Sequence, residues 1–201
     1  MPRIIGLTGN IACGKTSIGH MLLALGAERY IDADAVVHTL YEGGQPIAVQ
    51  VAEEFGPGVI AADGSVNRQA LGAIVFHDAA AMRRLEAIVH PAVGTALAKE
   101  LALVSETGIA VLDAVKLLEG SSGAFCQSKW MVICSEEQEL MRLMTRNALS
   151  EEEAWTRIRV QPSVEKRLPF VDEVIDNSGT LEETRSQVVA AFARFCKRFP
   201  A

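Results

Sequence analysis

The stretch "GLTGNIACGKTS" constrains this chain more than any other feature. It matches G-x-x-x-x-G-K-[ST] through Gly9, Gly14, Lys15 and Thr16. In this pattern the glycines turn backbone N–H groups toward phosphate oxygens, the lysine reaches the outer phosphates and the hydroxyl binds Mg²⁺. An apolar run precedes it and an apolar-rich helical pattern follows it, which is the context that the motif requires. The sequence predicts a nucleoside triphosphate site with Thr16 as the metal residue, and an ordinary glycine-rich turn is the alternative.

The rest of the chain predicts an α/β fold. Helical patterns lie between most of five short apolar runs, which indicates a parallel sheet. The runs are "RIIGLT" (3–8), "ERYIDAD" (28–34), "GIAVLDAV" (108–115), "KWMVICS" (129–135) and "DEVIDNS" (172–178). The segment 36–98 has mainly helical periodicity and is too long for a simple crossover, so we expect an inserted helical subdomain. Pro91 should kink or restart the helix in which it lies.

Composition limits the partners and the compartment. The net charge of −6 argues against nucleic acid as the main partner, because binding along a duplex needs a broad basic surface. No apolar run is long enough to span a bilayer and the start does not resemble a signal peptide, so we expect a cytoplasmic protein without membrane contact. The scattered cysteines favour reduced thiols over disulfides or a zinc site. Cys13 lies near a predicted helix N-terminus, which predicts a lowered thiol pKa and a reactive thiolate.

Other sequence signals indicate transfer of phosphate to an acceptor. The N-K-x-D motif of GTPases is absent, and Asp113 is followed by alanine where motor-type ATPases usually have an acidic pair. In "IDADAV", Asp32 and Asp34 are expected to alternate on a strand end and to point the same way, which would set a carboxylate beside an acceptor hydroxyl. Aspartate is also favoured as a helix N-cap. One aspartate would therefore cap a helix and the other would take part in the chemistry, and the residues alone do not decide which.

A basic cluster follows the fourth predicted strand. Arg142, Arg146, Arg157 and Arg159 lie in two helical segments, and the second segment begins with a capping-box pattern at Ser150. Such clustering predicts a lid over 136–165 that neutralises charge on the transferring phosphates. The alternative is local pairing of these arginines with glutamates four residues away.

Several stretches together resemble the dephospho-CoA kinases, over nearly the whole chain. They are "GLTGNIACGKTSIG", "IDADAVVH", "EEFGPGVIAADGSVNRQALGAIVF", "LEAIVHPAV", "EEQELMRLMTRNALSEEEAWTRIRVQ" and "VIDNSG". The resemblance implies ATP-dependent phosphorylation of the ribose 3′-hydroxyl of dephospho-CoA, the last step of coenzyme A synthesis. Alternatives are another P-loop nucleoside or metabolite kinase, or a nucleotide-binding regulatory module without turnover. The oligomeric state is open.

The resemblance also implies a domain organisation and roles for individual residues. It implies a three-layer P-loop core formed by 1–35, 99–135 and 166–201, with 36–98 binding the CoA substrate and 136–165 as the lid. The catalytic candidates are Lys15, Asp34 as the base, and Arg142 or Arg146. The ATP-binding candidates are Asn10, Ile11, Ala12, Cys13, Gly14, Lys15, Thr16, Ser17 and, near the adenine, Asn177. The substrate-binding candidates are Asp32, Asp34, Arg68, His90 and Lys116.

Some positions depart from the family pattern or allow a second interpretation. Lys116 replaces an expected proline and would add a positive charge near the acceptor. Asn10 stands where the family commonly has glycine, and Cys13 where it has a small residue. Arg68 and His90 match family positions, but Arg68 is equally interpretable as a surface helix cap and His90 as a core histidine.

Overall fold

The computed structural model describes residues 2–201 and is organised around a parallel β-sheet. Within these residues the strands are β1 (Arg3–Gly9), β2 (Arg29–Asp32), β3 (Ile109–Asp113), β4 (Ser128–Ile133) and β5 (Glu173–Asp176). They lie in the order β2-β3-β1-β4-β5, and all neighbouring pairs are parallel. The predicted strands and the predicted α/β class are confirmed.

Helices lie between most of the strands, and the last helix follows β5. They are α1 (Lys15–Ala24), α2 (Ala33–Leu40), α3 (Pro46–Phe55), α4 (Arg68–Val75), α5 (Ala79–Leu101), α6 (Glu136–Asn147), α7 (Glu151–Arg159), α8 (Val164–Arg167) and α9 (Leu181–Arg198). Short 3-10 turns lie at Pro57–Val59, Ser121–Phe125 and Leu168–Phe170. The predicted capping box at the start of α7 is present, with Ser150 and Glu153 each bonding to the other's backbone N–H. No helix within 2–201 is both long enough and apolar enough to cross a bilayer.

Strand β1 places the glycine-rich loop at the carboxyl edge of the sheet. It lies between β3 and β4, and it is buried from Ile4 to its last residue, Gly9. Leu7 is in register with Asp113 of β3, and Gly9 with Val132 of β4. Because all strands run the same way, every strand ends at this edge, where open α/β sheets bind their ligands.

The chain divides into two compact units. The first comprises the chain up to Asp32 together with Leu101–Ala201 and contains the sheet. Its core includes fully buried Ile5, Leu7 and Trp130, with α1 and α9 supplying further buried side chains such as Leu22 and Val188.

The second unit, Ala33–Glu100, is helical and has a core of its own. Its buried side chains include Ile47, Val51 and Leu71. The segment 36–98 that the sequence predicts as a substrate subdomain lies within this unit.

Helix α5 continues through Pro91. The expected restart is therefore wrong, and the alternative expectation of a kink stays a prediction, since proline cannot donate a backbone hydrogen bond at that turn. Side chains on both sides of the proline, including Ile88 and Ala92, pack against the core of the second unit. This packing supports a continuous helix despite the missing bond.

Candidate active site

The glycine-rich loop joins β1 to α1 through backbone conformations that favour glycine. Gly14 has φ 100° and immediately precedes the first residue of α1, Lys15. A Cβ atom at Gly14 would collide with the Asn177 side-chain amide, and one at Gly9 would collide with the Val132 carbonyl oxygen. Both glycines of the motif are therefore required by backbone angle and by close packing.

The carbonyl oxygens of this loop are held by side chains from outside it. The Arg142 guanidinium donates to the carbonyls of Ala12 and Cys13, each at 3.2 Å, and also to the Asn177 carbonyl and the Gln138 side chain. The Asn177 amide donates to the Cys13 carbonyl at 2.9 Å. Since C=O and N–H point in opposite directions across a trans peptide, these bonds direct the N–H groups of Cys13 and Gly14 away from Arg142.

Ala12 is the strained residue of this loop. Its φ of 59° lies in the left-handed region, which costs a non-glycine residue about 1–2 kcal/mol. The Arg142 bond to its carbonyl oxygen opposes relaxation of this strain. Ile11 and Ala12 also pack against the apolar cluster formed by Leu143, Ala154 and Ile158 of α6 and α7. The loop conformation thus depends on the predicted lid segment.

Lys15 extends back across the loop. Its Nζ donates to the carbonyl oxygens of Gly9 at 3.1 Å and Asn10 at 3.3 Å. The nearly buried carboxyl of Glu139, on α6, interacts electrostatically with Lys15. Burial, reinforced by the neighbouring Glu136, raises the pKa of Glu139 to about 7, and Lys15 and Arg142 oppose that rise. A group whose pKa lies near neutrality therefore adjoins the lysine of the glycine-rich motif.

Arg167, at the end of α8, is buried beneath the start of the loop. It donates to the Thr8 hydroxyl at 2.6 Å, the Val115 carbonyl at 2.9 Å and the Asn10 side chain at 3.4 Å. Its Nε lies 3.3 Å from a Glu119 carboxylate oxygen. Sequence reasoning missed this residue, because a lone arginine outside the recognised cluster carries no signal that it is buried.

Tyr30 and Asp113 form a hydrogen-bonded pair close to Thr16. The Tyr30 hydroxyl donates to Asp113 Oδ2 at 2.5 Å, and burial and Asp113 raise the pKa of Tyr30 while Thr16 opposes that rise. Asp113 ends β3 next to the loop strand and is 5% exposed. In the sequence, Asp113 stands out only as one half of an absent acidic pair, and no pattern marks Tyr30.

The residues around Thr16 fit a magnesium ion that is held mainly by phosphates. Within 2–201, no group of three or more His, Cys, Asp or Glu residues is arranged to bind a metal ion. Mg²⁺ in kinases usually takes one or two protein ligands and completes its shell with water and phosphate oxygens. Thr16 is exposed, and its hydroxyl would supply one such ligand.

The structure corrects the expected arrangement of the two aspartates in "IDADAV". Asp32 ends β2, in register with Asp113, whereas Asp34 lies in the first turn of α2. They do not alternate along one strand, because the helix begins at Ala33. Both side chains are exposed. The strand-based argument for their shared direction is therefore wrong, and their functional roles stay predictions.

The structure also corrects the expectation for Cys13. The side chain is fully buried, and this burial raises the pKa of the thiol, more than the nearby Lys15 lowers it. The prediction of a reactive thiolate at Cys13 is therefore wrong. Position at a helix N-terminus does not activate a thiol from which solvent is excluded.

The remaining candidates have different surroundings. In the second unit, Arg68 begins α4 and bonds to His38, with Nη1 2.6 Å from the ring Nε2, while the N-cap of α4 is Asn67. His90 is exposed on α5 and is not a core histidine. In the first unit, Lys116 and Arg146 are exposed.

The other two arginines of the cluster are also exposed, on α7. Arg157 interacts electrostatically with Glu153, as local pairing predicts. The Arg159 guanidinium lies 5.8 Å from the centre of the Trp155 ring. Of the clustered arginines, Arg142 is the one that contacts the loop.

Comparisons with known proteins agree with this geometry. A family model described as dephospho-CoA kinase matches residues 3–183. This chain belongs to the dephospho-CoA kinase family. A dephospho-CoA kinase of Symbiobacterium thermophilum is 44% identical over 96% of this chain and 82% of its own length. One of Geobacillus kaustophilus is 40% identical over 94% of this chain and 95% of its own length.

A solved structure supports the fold. The crystal structure of TT1252 from Thermus thermophilus is 30% identical to this chain, with a TM-score of 0.81. The alignment covers 96% of this chain and 97% of that one. The α/β P-loop fold and the assignment of the chain to a family of kinases, which are transferases, are thus established.

Proposed function

We propose that this chain phosphorylates the ribose 3′-hydroxyl of dephospho-CoA with Mg·ATP to give coenzyme A. The observation that carries this proposal is the phosphate loop whose Ala12 and Cys13 carbonyls are held by Arg142. This arrangement turns the Gly14 N–H to the other side of the loop, where phosphate oxygens bind in P-loop proteins, while the Cys13 N–H donates to the Asn10 carbonyl at 3.5 Å. Family membership supports dephospho-CoA as the acceptor.

The first unit binds the nucleotide in this proposal. The backbone from Asn10 to Ser17 surrounds the phosphates, and Lys15 turns from the loop carbonyls to the outer phosphates. Phosphoryl transfer requires mainly positioning and neutralisation of charge, and cationic side chains provide both. Arg142 maintains the conformation of the loop. Arg146 is exposed on the proposed lid 136–165 and would contact the transferring phosphate.

Magnesium belongs to the same proposal. Thr16 would hold the ion, and Asp113, at the end of β3, accepts a hydrogen bond from the Tyr30 hydroxyl. The ion supplies charge neutralisation on the phosphate oxygens. The chain's own residues keep the loop backbone fixed around the Thr16 hydroxyl.

The second unit binds the acceptor in this proposal. Its helices, which include the segment 36–98, offer a large surface for a long substrate, and Arg68 and His90 are its candidate contacts. Asp34 is the candidate base, since it follows the carboxyl end of β2, the edge at which open α/β sheets bind ligands. Asp32, at the end of β2, and Lys116, after β3, are further candidates for acceptor contact.

An assay for product separates this proposal from its alternatives. The protein is incubated with Mg·ATP and either dephospho-CoA, adenosine or AMP, and CoA and ADP are measured. We expect a kcat/KM for dephospho-CoA well above the other two, because binding of the pantetheine arm helps to position the ribose hydroxyl. Equal values for adenosine would indicate a nucleoside kinase, and nucleotide binding without any product would indicate a regulatory module. The matched control is Lys15→Ala, which should remain folded and lose most turnover.

A further inference from the structure

Asn177 lies immediately after β5 and contacts the phosphate loop through its side chain. Its Nδ2 donates to the Cys13 carbonyl oxygen at 2.9 Å. The main chain of the same residue is bonded on both sides. Its N–H donates to the Ile133 carbonyl at 2.8 Å, and its own carbonyl accepts from Arg142 at 3.2 Å. The side-chain amide is therefore presented to the loop by a backbone that β4 and α6 hold in place.

A buried hydroxyl supports this amide from its other end. Thr184 lies in α9 and is fully buried, and its Oγ1 donates to Asn177 Oδ1 at 3.1 Å. The orientation of the amide follows from its two partners. The Cys13 carbonyl can only accept, so the amide nitrogen must face it and the amide oxygen must face Thr184. The Thr184 hydroxyl therefore supplies the proton of the second bond.

The bond to Cys13 decides the direction of one backbone N–H. The Cys13 carbonyl and the Gly14 N–H belong to the same trans peptide and point in opposite directions. Because the carbonyl faces Asn177, the Gly14 N–H faces the other side of the loop, where the proposed phosphates bind. Arg142 donates to the same carbonyl at 3.2 Å, so two side chains hold this peptide.

Gly14 also leaves the space that the amide occupies. A Cβ atom at Gly14 would collide with Asn177 Nδ2, so the amide packs directly against the backbone of the loop. The Asn177 side chain is thus bonded to protein at both of its polar atoms. An amide in this position supports the loop backbone, whatever base the nucleotide carries.

We propose that Asn177 and Thr184 are positioning residues for the nucleotide phosphates. Thr184 orients the Asn177 amide, and the amide holds the Cys13 carbonyl. The Gly14 N–H is thereby directed at the phosphates. The sequence resemblance places Asn177 near the adenine, and the proposal gives its side chain a different role. The inference rests on the proposed function only in requiring nucleotide phosphates at the loop, and it is independent of the acceptor.

The test separates the phosphates from the base. Calorimetry in excess Mg²⁺ gives the Kd of ADP, of inorganic tripolyphosphate, which has no base, and of adenosine, which has no phosphate. In Asn177→Ala we expect the Kd values of ADP and tripolyphosphate to rise roughly 3- to 10-fold, the effect of one hydrogen bond. The Kd of adenosine should stay within about twofold of the wild-type value.

A second variant tests the same arrangement through the buried hydroxyl. Thr184→Val keeps a side chain of similar size without the hydroxyl, and it should give the same pattern with a smaller rise of roughly 2- to 5-fold. Adding it to Asn177→Ala should have little further effect, because both changes act through one bond to the loop. Thr95→Val makes the same chemical change at an exposed position of the second unit and should leave all three constants unchanged.

The outcomes of these measurements are distinct from those of the product assay. A weaker binding of ADP with unchanged binding of tripolyphosphate would overturn the proposal, because contact with the adenine predicts that result. Unchanged constants would also overturn it, as would a parallel rise for all three probes, which a merely structural role predicts. Full additivity of the two substitutions would refute the role assigned to Thr184. Failure to phosphorylate dephospho-CoA would leave these binding measurements intact and would refute the proposed function alone.

Discussion

Arg167 donates a hydrogen bond to the Thr8 hydroxyl at 2.6 Å, although the two residues lie 159 positions apart in the chain. The same guanidinium reaches the Val115 carbonyl, and Thr8 itself donates to that carbonyl at 3.1 Å. The end of α8, the end of β1 and the segment after β3 are thereby joined beneath the phosphate loop. A buried polar group therefore stabilises the phosphate loop, in addition to the backbone angles of its glycines.

We expect Arg167→Ala to destabilise the protein by about 2–4 kcal/mol, because it leaves buried oxygens without their charged donor. In a chain of this size such a loss corresponds to a fall in Tm of roughly 5–15 °C. Arg167→Lys should recover only part of it, since an ammonium cannot span the same acceptors. Thermal unfolding measures both.

Arg198→Ala is the matched control for this prediction. Arg198 pairs with Asp172 at 3.0 Å on the surface, with 65% of its side chain exposed. Exposed pairs contribute about 1 kcal/mol or less. Equal losses of Tm in the two alanine variants would contradict the structural role assigned to Arg167.

We expect Arg142 to support nucleotide binding and Arg146 to support phosphoryl transfer. Arg142→Ala removes the Arg142 bond to the Ala12 carbonyl and leaves Asn177 as donor to the Cys13 carbonyl, and we expect the Kd for ADP to rise about 10-fold or more, as for the loss of charged hydrogen bonds. Arg146→Ala should leave that Kd unchanged and reduce kcat, as expected for an exposed arginine that acts on the transferring phosphate. Calorimetry and steady-state rates give the comparison. A larger loss of ADP affinity in Arg146→Ala would reverse the two assignments.

Cys13 should be slow to react with alkylating reagents in the folded protein. Its side chain is buried and burial raises the pKa of its thiol, so little accessible thiolate is present at neutral pH. Iodoacetamide should inactivate the wild type no faster than Cys13→Ala, and Mg·ATP should change the rate little. Much faster inactivation of the wild type, with protection by nucleotide, would show that the loop opens often enough to expose the thiol.

Glu139 should make stability depend on pH near neutrality. Its pKa is raised from 4.5 to about 7 in the folded protein, so folding favours the protonated form. The stabilisation from protonation is complete below about pH 4.5 and is lost as pH rises through about 7. Glu139→Gln imitates the protonated carboxyl and should exceed the wild type by about 1–2 kcal/mol at pH 8, with little difference at pH 5.

Urea unfolding of the wild type and of Glu139→Gln between pH 5 and 8.5 tests this expectation. Glu137→Gln, at an exposed position on the same helix, is the control and should follow the wild-type profile. Parallel profiles for the wild type and Glu139→Gln would contradict the assignment of this ionisation to Glu139.

Local sequence patterns predicted the fold well because short-range chemistry decides them. The strands read as apolar runs since β1 and its neighbours are buried within the sheet, and Ser150 with Glu153 forms a capping box over one helical turn. The residues of the phosphate-loop motif have a fixed spacing in the sequence for the same reason, because the backbone angles of its glycines are decided within a few residues.

The side chains that hold the phosphate loop in place could not be predicted from local sequence patterns. Arg167 reaches Thr8 and Asn10 from a distant part of the chain, and only the folded sheet brings them close. The activation expected for Cys13 failed because burial, a tertiary property, outweighed the nearby charge and helix terminus. The alternation expected for Asp32 and Asp34 failed because the strand ends one residue before a helix begins.

The last prediction distinguishes a catalytic from a structural role for Asp34. If Asp34 accepts the proton of the acceptor hydroxyl, Asp34→Asn should lower kcat by ~10²–10⁴-fold, the usual range for loss of a general base. Its Tm should change little, since asparagine keeps the size of the side chain and can still accept a hydrogen bond in the first turn of the helix. Nucleotide affinity should persist, because the phosphate loop is unaltered. Asp32→Asn, measured in parallel, should retain most of kcat, and a collapse of turnover there with normal turnover in Asp34→Asn would assign the base to Asp32.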